Sequence, residues 1–117
     1  MNFKYTALDE KTGIFNLEGN LIGETDGIPL TESFAEQINN GARNFVMDLT
    51  ELQHINSSGL GVLITLLTKA RKVSGEVLLT NPSEFINNIL IITKLNSVFN
   101  IFPDTDSALA SFNQEEE

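Results

Sequence analysis

Ser57 and Ser58 stand at the head of an apolar run, Leu60 to Leu67, with Gly59 and Gly61 beside them. Phe45 to Leu49 reads as a short apolar strand, and Thr50 to Asn56 as the polar connection between that strand and the serines. The pattern is a strand delivering hydroxyls to a helix start. There the first backbone N–H groups have no partner within the helix and carry partial positive charge. A hydroxyl so placed is exposed, lies in a field that favours anions, and can cap the helix. Gly59 removes a Cβ next to the hydroxyl, which lets another molecule approach closely. The chemistry this suggests is a regulated hydroxyl that meets a partner; plain helix capping is the simpler use of the same residues.

Other chemistries fit less well. A serine hydrolase needs a base for the hydroxyl proton and a group that orients the base. His54 is the single histidine, it falls on the connection, and no G-x-S-x-G elbow is present. It reads as a solvated loop residue, and no catalytic residue is assigned. Ser57-Ser58-Gly59-Leu60-Gly61 lacks the Gly-Lys-Ser/Thr ending of a phosphate-binding loop. One histidine and no cysteine make a poor ligand set for zinc. Asp104 and Asp106 fit charge complementation at a helix start better than calcium binding. Neither a metal nor a cofactor is expected.

The elements that must position the serines follow from periodicity. Phe3 to Leu8 and Ile14 to Glu18 read as a hairpin around the turn residues Asp9 to Gly13, with the first strand at a sheet edge. Residues 19 to 27 carry three glycines and read as a loop or bulge. Pro29 to Asn40 spaces Leu30, Phe34 and Ile38 along one helical stripe, with Gly41 as its stop. Phe45 to Leu49 is apolar on both faces, as a strand covered on both sides must be. The helix from Ser57 or Ser58 to about Val73 carries Leu60, Leu63, Leu67 and Ala70 on one stripe, widened by Val62, Leu66 and Val73. Lys69, Arg71 and Lys72 complement the dipole at its end. Glu76 to Thr80 is a strand, and Pro82 to Leu95 a helix with Phe85, Ile89, Ile92 and Leu95 along one side. Val98 to Phe102 is a last strand, and Asp104 to Phe112 a last helix facing in through Ala108, Leu109 and Phe112. The expected fold is α/β, a small mixed sheet of four to five strands covered by helices. It forms one domain, residues 1–113, before a charged tail, 114–117, that frays.

The chain has 117 residues, 41% of them hydrophobic, enough for one core. A net charge of −9 disfavours direct contact with nucleic acid or an anionic membrane. No apolar run is long enough to cross a bilayer, and MNFKYTALDEK lacks the apolar core of a signal peptide, so a cytoplasmic location is expected.

Asp48-Leu49-Thr50, then Ile55-Asn56-Ser57-Ser58-Gly59-Leu60-Gly61-Val62-Leu63, resembles the signature of the STAS domain, the family of bacterial anti-sigma-factor antagonists. The family form is a strand ending in Asp-Leu-Ser, a spacer, and Asp-Ser-Ser/Thr-Gly-Leu-Gly leading into a helix. The resemblance implies that Ser58 is phosphorylated by a partner that is both serine kinase and anti-sigma factor. The unmodified antagonist would bind that factor and free the sigma factor; a PP2C-type phosphatase would restore binding. Asn56, Ser57, Ser58, Gly59 and Leu60 would form the partner-binding surface. Two departures stand out. Asn56 replaces the family acid; it can cap, but it cannot act as a carboxylate base or pair with a cation. Gly19-Asn20-Leu21-Ile22 is followed by GETDGIP where the family has a Gly-Glu-Leu-Asp-like stretch. STAS-like domains also serve, unphosphorylated, as subunits of lipid-transport ABC systems or as stress-signalling scaffolds, and Asn56 is compatible with both.

Overall fold

Successive residues of one strand divide the core. Phe45, Met47 and Leu49 belong to the larger apolar cluster and Val46 to a smaller one on the opposite face. All four are buried, as the two-sided apolar pattern predicts. A computed structural model describes residues 1–115. In order, the elements are β1 (Asn2–Ala7), β2 (Thr12–Leu21), α1 (Glu24–Asn39), β3 (Asn44–Ile55), α2 (Ser57–Lys72), β4 (Glu76–Thr80), α3 (Glu84–Ile92), a 3-10 turn (Leu95–Ser97), β5 (Asn100–Phe102) and α4 (Thr105–Glu115). The five strands form one sheet in the order β1-β2-β3-β4-β5. β1 pairs antiparallel with β2, and the remaining pairs are parallel. The fold is thus the expected mixed α/β sheet, with β3 at its centre and β1 at an edge.

The larger cluster joins Leu30 and Phe34 of α1, Leu60, Leu63, Leu66 and Leu67 of α2, and Ile86 and Leu90 of α3 to one face of the sheet. Phe15, Phe34 and Phe45 lie at its heart, with the Phe34 and Phe45 rings 4.3 Å apart. Ala108 and Phe112 of α4 cover Val46 and Leu78 on the other face.

Several boundaries differ from the sequence reading. β3 continues through Thr50 to Ile55 instead of ending at Leu49. Two register shifts against β2 insert extra residues on β3, so that Leu49, Leu52 and Ile55 all reach the core at a spacing of three. A strand interrupted by bulges loses the alternation by which strands are recognised. His54 therefore lies on a strand, not on a loop. α1 begins at Glu24 and takes in Gly27 and Pro29, residues read respectively as loop and as helix start. Pro29 lacks an N–H and cannot close a bond to Thr25, but Gly27 seats the helix against Val62, where an added Cβ would come within 2.5 Å of the valine Cγ2. α3 is shorter than expected and faces differently. It ends at Ile92, Lys94 is left-handed at φ 64°, and Leu95 opens the 3-10 turn. Ile86 and Leu90 are its buried residues, whereas Phe85 and Ile92 are 51% and 78% exposed. β5 is trimmed to Asn100–Phe102. α4 continues through 114–115, and the remainder of the expected tail, 116–117, lies outside the described residues.

Candidate functional site

β2 and β3 run parallel and stop together, with Leu21 opposite Ile55 in the last rung. The helix that follows each strand therefore starts at the same edge of the sheet. Asn56 joins the two starts. It is the N-cap of α2, in extended conformation, and its Oδ1 accepts from the Gly59 N–H at 2.9 Å. The same oxygen accepts from the N–H of Gly23, the N-cap of α1, at 3.4 Å. Gly23 has φ 81°, a conformation that favours glycine. At α1 the carboxylate of Asp26 reaches back to the Ile22 N–H at 3.2 Å.

This arrangement reassigns the serines. Ser57 and Ser58 are the first two residues inside α2, and neither is its cap; Asn56 fills that role. Both serines are exposed, and neither hydroxyl bonds to another described residue. Gly59 is also reassigned. It is buried, and a Cβ there would lie 2.1 Å from the carbonyl oxygen of Leu21 and 2.8 Å from Ile55 Cγ1. Its missing side chain admits the end of β2, not an outside molecule. Leu60 is 7% exposed and belongs to the core. Of the five expected contact residues, Asn56, Ser57 and Ser58 thus face outward, while Gly59 and Leu60 hold the helix start in place.

Ser58 opens onto a shallow depression of about 310 Å³ between α1 and α2, which it lines with Thr31, Gly61, Val62 and Thr65. The sequence reading gives Thr31 no role and places Gly61 in the motif without a contact of its own. Thr31 lies on another element, and no local pattern announces that it faces α2. The first turn of α2 holds no acidic residue, and Lys69, Arg71 and Lys72 lie in its last turn. The dipole therefore acts unopposed within that first turn, and a negative charge added at Ser58 is favoured there. His54 packs edge-on against Phe85, ring centroids 5.4 Å apart, and makes no hydrogen bond to Ser58. Among the described residues, no group of His, Cys, Asp and Glu is placed to hold a metal ion.

A second polar cluster lies elsewhere on β3. Asp48 accepts from Thr50 N–H at 2.9 Å and from its hydroxyl at 2.6 Å. It also accepts from the side-chain amides of Asn16 and Asn81, at 3.1 and 3.3 Å. The Asp-Leu-Thr part of the motif thus anchors the turn after β4, and gives Asp48 a structural use.

Comparison with known proteins agrees with this fold. A Bordetella bronchiseptica protein that carries the name anti-sigma factor antagonist BtrV is 28% identical over 92 residues, 79% of either chain. The solved structure of the anti-sigma factor antagonist SpoIIAA in its unphosphorylated form matches with a TM-score of 0.81 over 97% of both chains, at 17% identity. SpoIIAA of Bacillus in its phosphorylated form matches at 0.73, covering 95% of this chain and 99% of that one, at 18% identity. The model of the STAS domain matches residues 5–108, nearly the whole chain, and the protein belongs to the STAS domain family.

Proposed function

We propose that this protein is an anti-sigma factor antagonist, a regulatory protein that binds an anti-sigma factor and has no catalytic activity of its own, and that phosphorylation of Ser58 switches it off. The observation that carries this reading is Ser58 itself: an exposed hydroxyl with no partner among the described residues, at the start of α2 and opening onto a depression between two helices. The names of its relatives, and the existence of SpoIIAA in phosphorylated and unphosphorylated forms on the same fold, support it. The kinase is the anti-sigma factor, and a PP2C-type phosphatase reverses the reaction. The Ser58 oxygen attacks the γ-phosphorus of ATP, the bond to ADP breaks, and the hydroxyl proton leaves. Asn56 has no carboxylate to take that proton, so the base belongs to the kinase.

Phosphate adds about −1.5 to −2 charges at neutral pH. At a helix N-terminus this charge is compatible with the fold, whereas in a close interface its bulk and solvation oppose docking. Ser58 is the switch and Ser57 is not, because Ser58 lines the depression. No helix among the described residues is long and apolar enough to cross a membrane, and the site of action is the cytoplasm, where sigma factors work.

The test uses the purified anti-sigma factor, ATP, and wild type, Ser57→Ala and Ser58→Ala proteins. Phosphate maps to Ser58 by mass spectrometry, Ser58→Ala binds but stays unmodified, and the phosphorylated form loses the complex. Phosphate on Ser57, or a Ser58→Ala protein modified like wild type, overturns the assignment. Binding to a lipid-transport ATPase with none to the anti-sigma factor moves the protein to another branch of the family.

A further inference from the structure

Gly61 lies in the second turn of α2, exposed, three residues after Ser58 and on the same side of the helix. A glycine inside a helix destabilises it relative to alanine, because its backbone loses more freedom on folding. The other helical glycines have internal reasons. An added Cβ would come within 2.5 Å of Val62 at Gly27 and within 2.1 Å of the Leu21 carbonyl oxygen at Gly59. Gly61 has none among the described residues: none of them lies within 4 Å of the position its Cβ would occupy, and its φ is not positive. Its carbonyl already accepts from the Thr65 hydroxyl at 2.9 Å. What it presents outward is bare backbone, in the same depression that Ser58, Thr31, Val62 and Thr65 line.

We infer that Gly61 is a specificity-determining contact, over which a main-chain segment of the anti-sigma factor passes within van der Waals distance. The inference rests on the reading of this protein as an anti-sigma factor antagonist. A side chain of the partner could bend around an added methyl group; a backbone segment pressed onto the helix cannot. The same placement explains regulation. A segment lying over Gly61 is within one helical turn of the Ser58 hydroxyl, so a phosphate there occupies the space the segment needs.

The experiment compares wild type, Gly61→Ala, Gly61→Leu and Thr68→Ala, an exposed control farther along the helix, by urea unfolding and by calorimetric titration with the purified anti-sigma factor. Gly61→Ala unfolds at higher urea than wild type yet binds on the order of ten-fold more weakly. Gly61→Leu binds more weakly still, and Thr68→Ala binds like wild type. If wild type binds and Gly61→Ala binds within about two-fold of it, the inference is overturned while the proposed function stands. A Gly61→Ala protein that is less stable than wild type also overturns it, because the glycine would then have an internal reason. If wild type does not bind the factor, both readings fall.

Discussion

Replacing Gly59 by alanine tests how α2 is seated on the end of β2. The new Cβ would stand 2.1 Å from the Leu21 carbonyl oxygen, 3.1 Å from its carbon and 2.8 Å from Ile55 Cγ1. Comfortable non-bonded carbon contacts begin at about 3.5 Å, so the first overlap exceeds an ångström. The obstacle is a backbone atom with no rotamer to change. Leu21 pairs with Ile55 in the last rung between β2 and β3, and its retreat would strain that rung and the capping bond from Gly59 to Asn56. Overpacking a close-fitted site costs about 1–3 kcal/mol, and a clash against main chain belongs at the top of that range. Alanine recovers about 1 kcal/mol through its better helix propensity. The expected net loss is about 2 kcal/mol, or a fall in Tm of about 8 °C for a chain of this size. Urea unfolding followed by far-UV circular dichroism, with an unchanged m-value, measures it directly. A Gly59→Ala midpoint at or above that of wild type would refute the seating, and with it the claim that Gly59 serves packing and not access.

Leu63 is 1% exposed in the main core, and Leu63→Ala is expected to lose about 2–5 kcal/mol in the same urea assay; a loss below about half a kcal/mol would mean that this face of α2 is not buried. Asn56→Ala should cost about 1 kcal/mol through loss of the α2 cap. Asn56→Asp should keep the stability, since a carboxylate oxygen accepts the same bonds; equal losses in both variants would contradict the capping role. Asp104 Oδ1 accepts from the Ser107 N–H at 2.7 Å, and that bond, aided by the Ser107 hydroxyl, holds the Asp104 carboxyl below its ordinary 3.8. The unfolded chain then binds more protons than the folded one, so this contribution is present above pH 3.8 and is lost as pH falls through the folded value. Acid unfolding of wild type should accordingly be steeper below that pH than for Asp104→Asn, and parallel acid limbs would count against it.

Much of this molecule follows from local pattern. Phe45, Val46 and Met47 are consecutive apolar residues, which places apolar side chains on both faces of one strand, and β3 is buried on both faces there. Leu60, Leu63, Leu67 and Ala70 recur at helical spacing, and α2 buries all of them. Ser83 before Glu84 marks the start of α3, and its hydroxyl caps Ile86 N–H at 3.1 Å. Tertiary structure decided the rest wherever two local patterns were equally satisfied or none was present. In α3 the apolar run fits either Phe85–Ile89–Ile92 or Ile86–Leu90, and docking on the sheet selected the second. Along Thr50 to Ile55, bulges against β2 replaced alternation by a spacing of three, a register that exists only once the neighbouring strand is in place. The site shows the same division. The serines and glycines of α2 are legible in sequence. Which glycine accommodates β2, which faces solvent, and which residue caps the helix depend on where Leu21 ends and where Gly23 begins α1. Those are distances across the fold, and no short-range pattern encodes them.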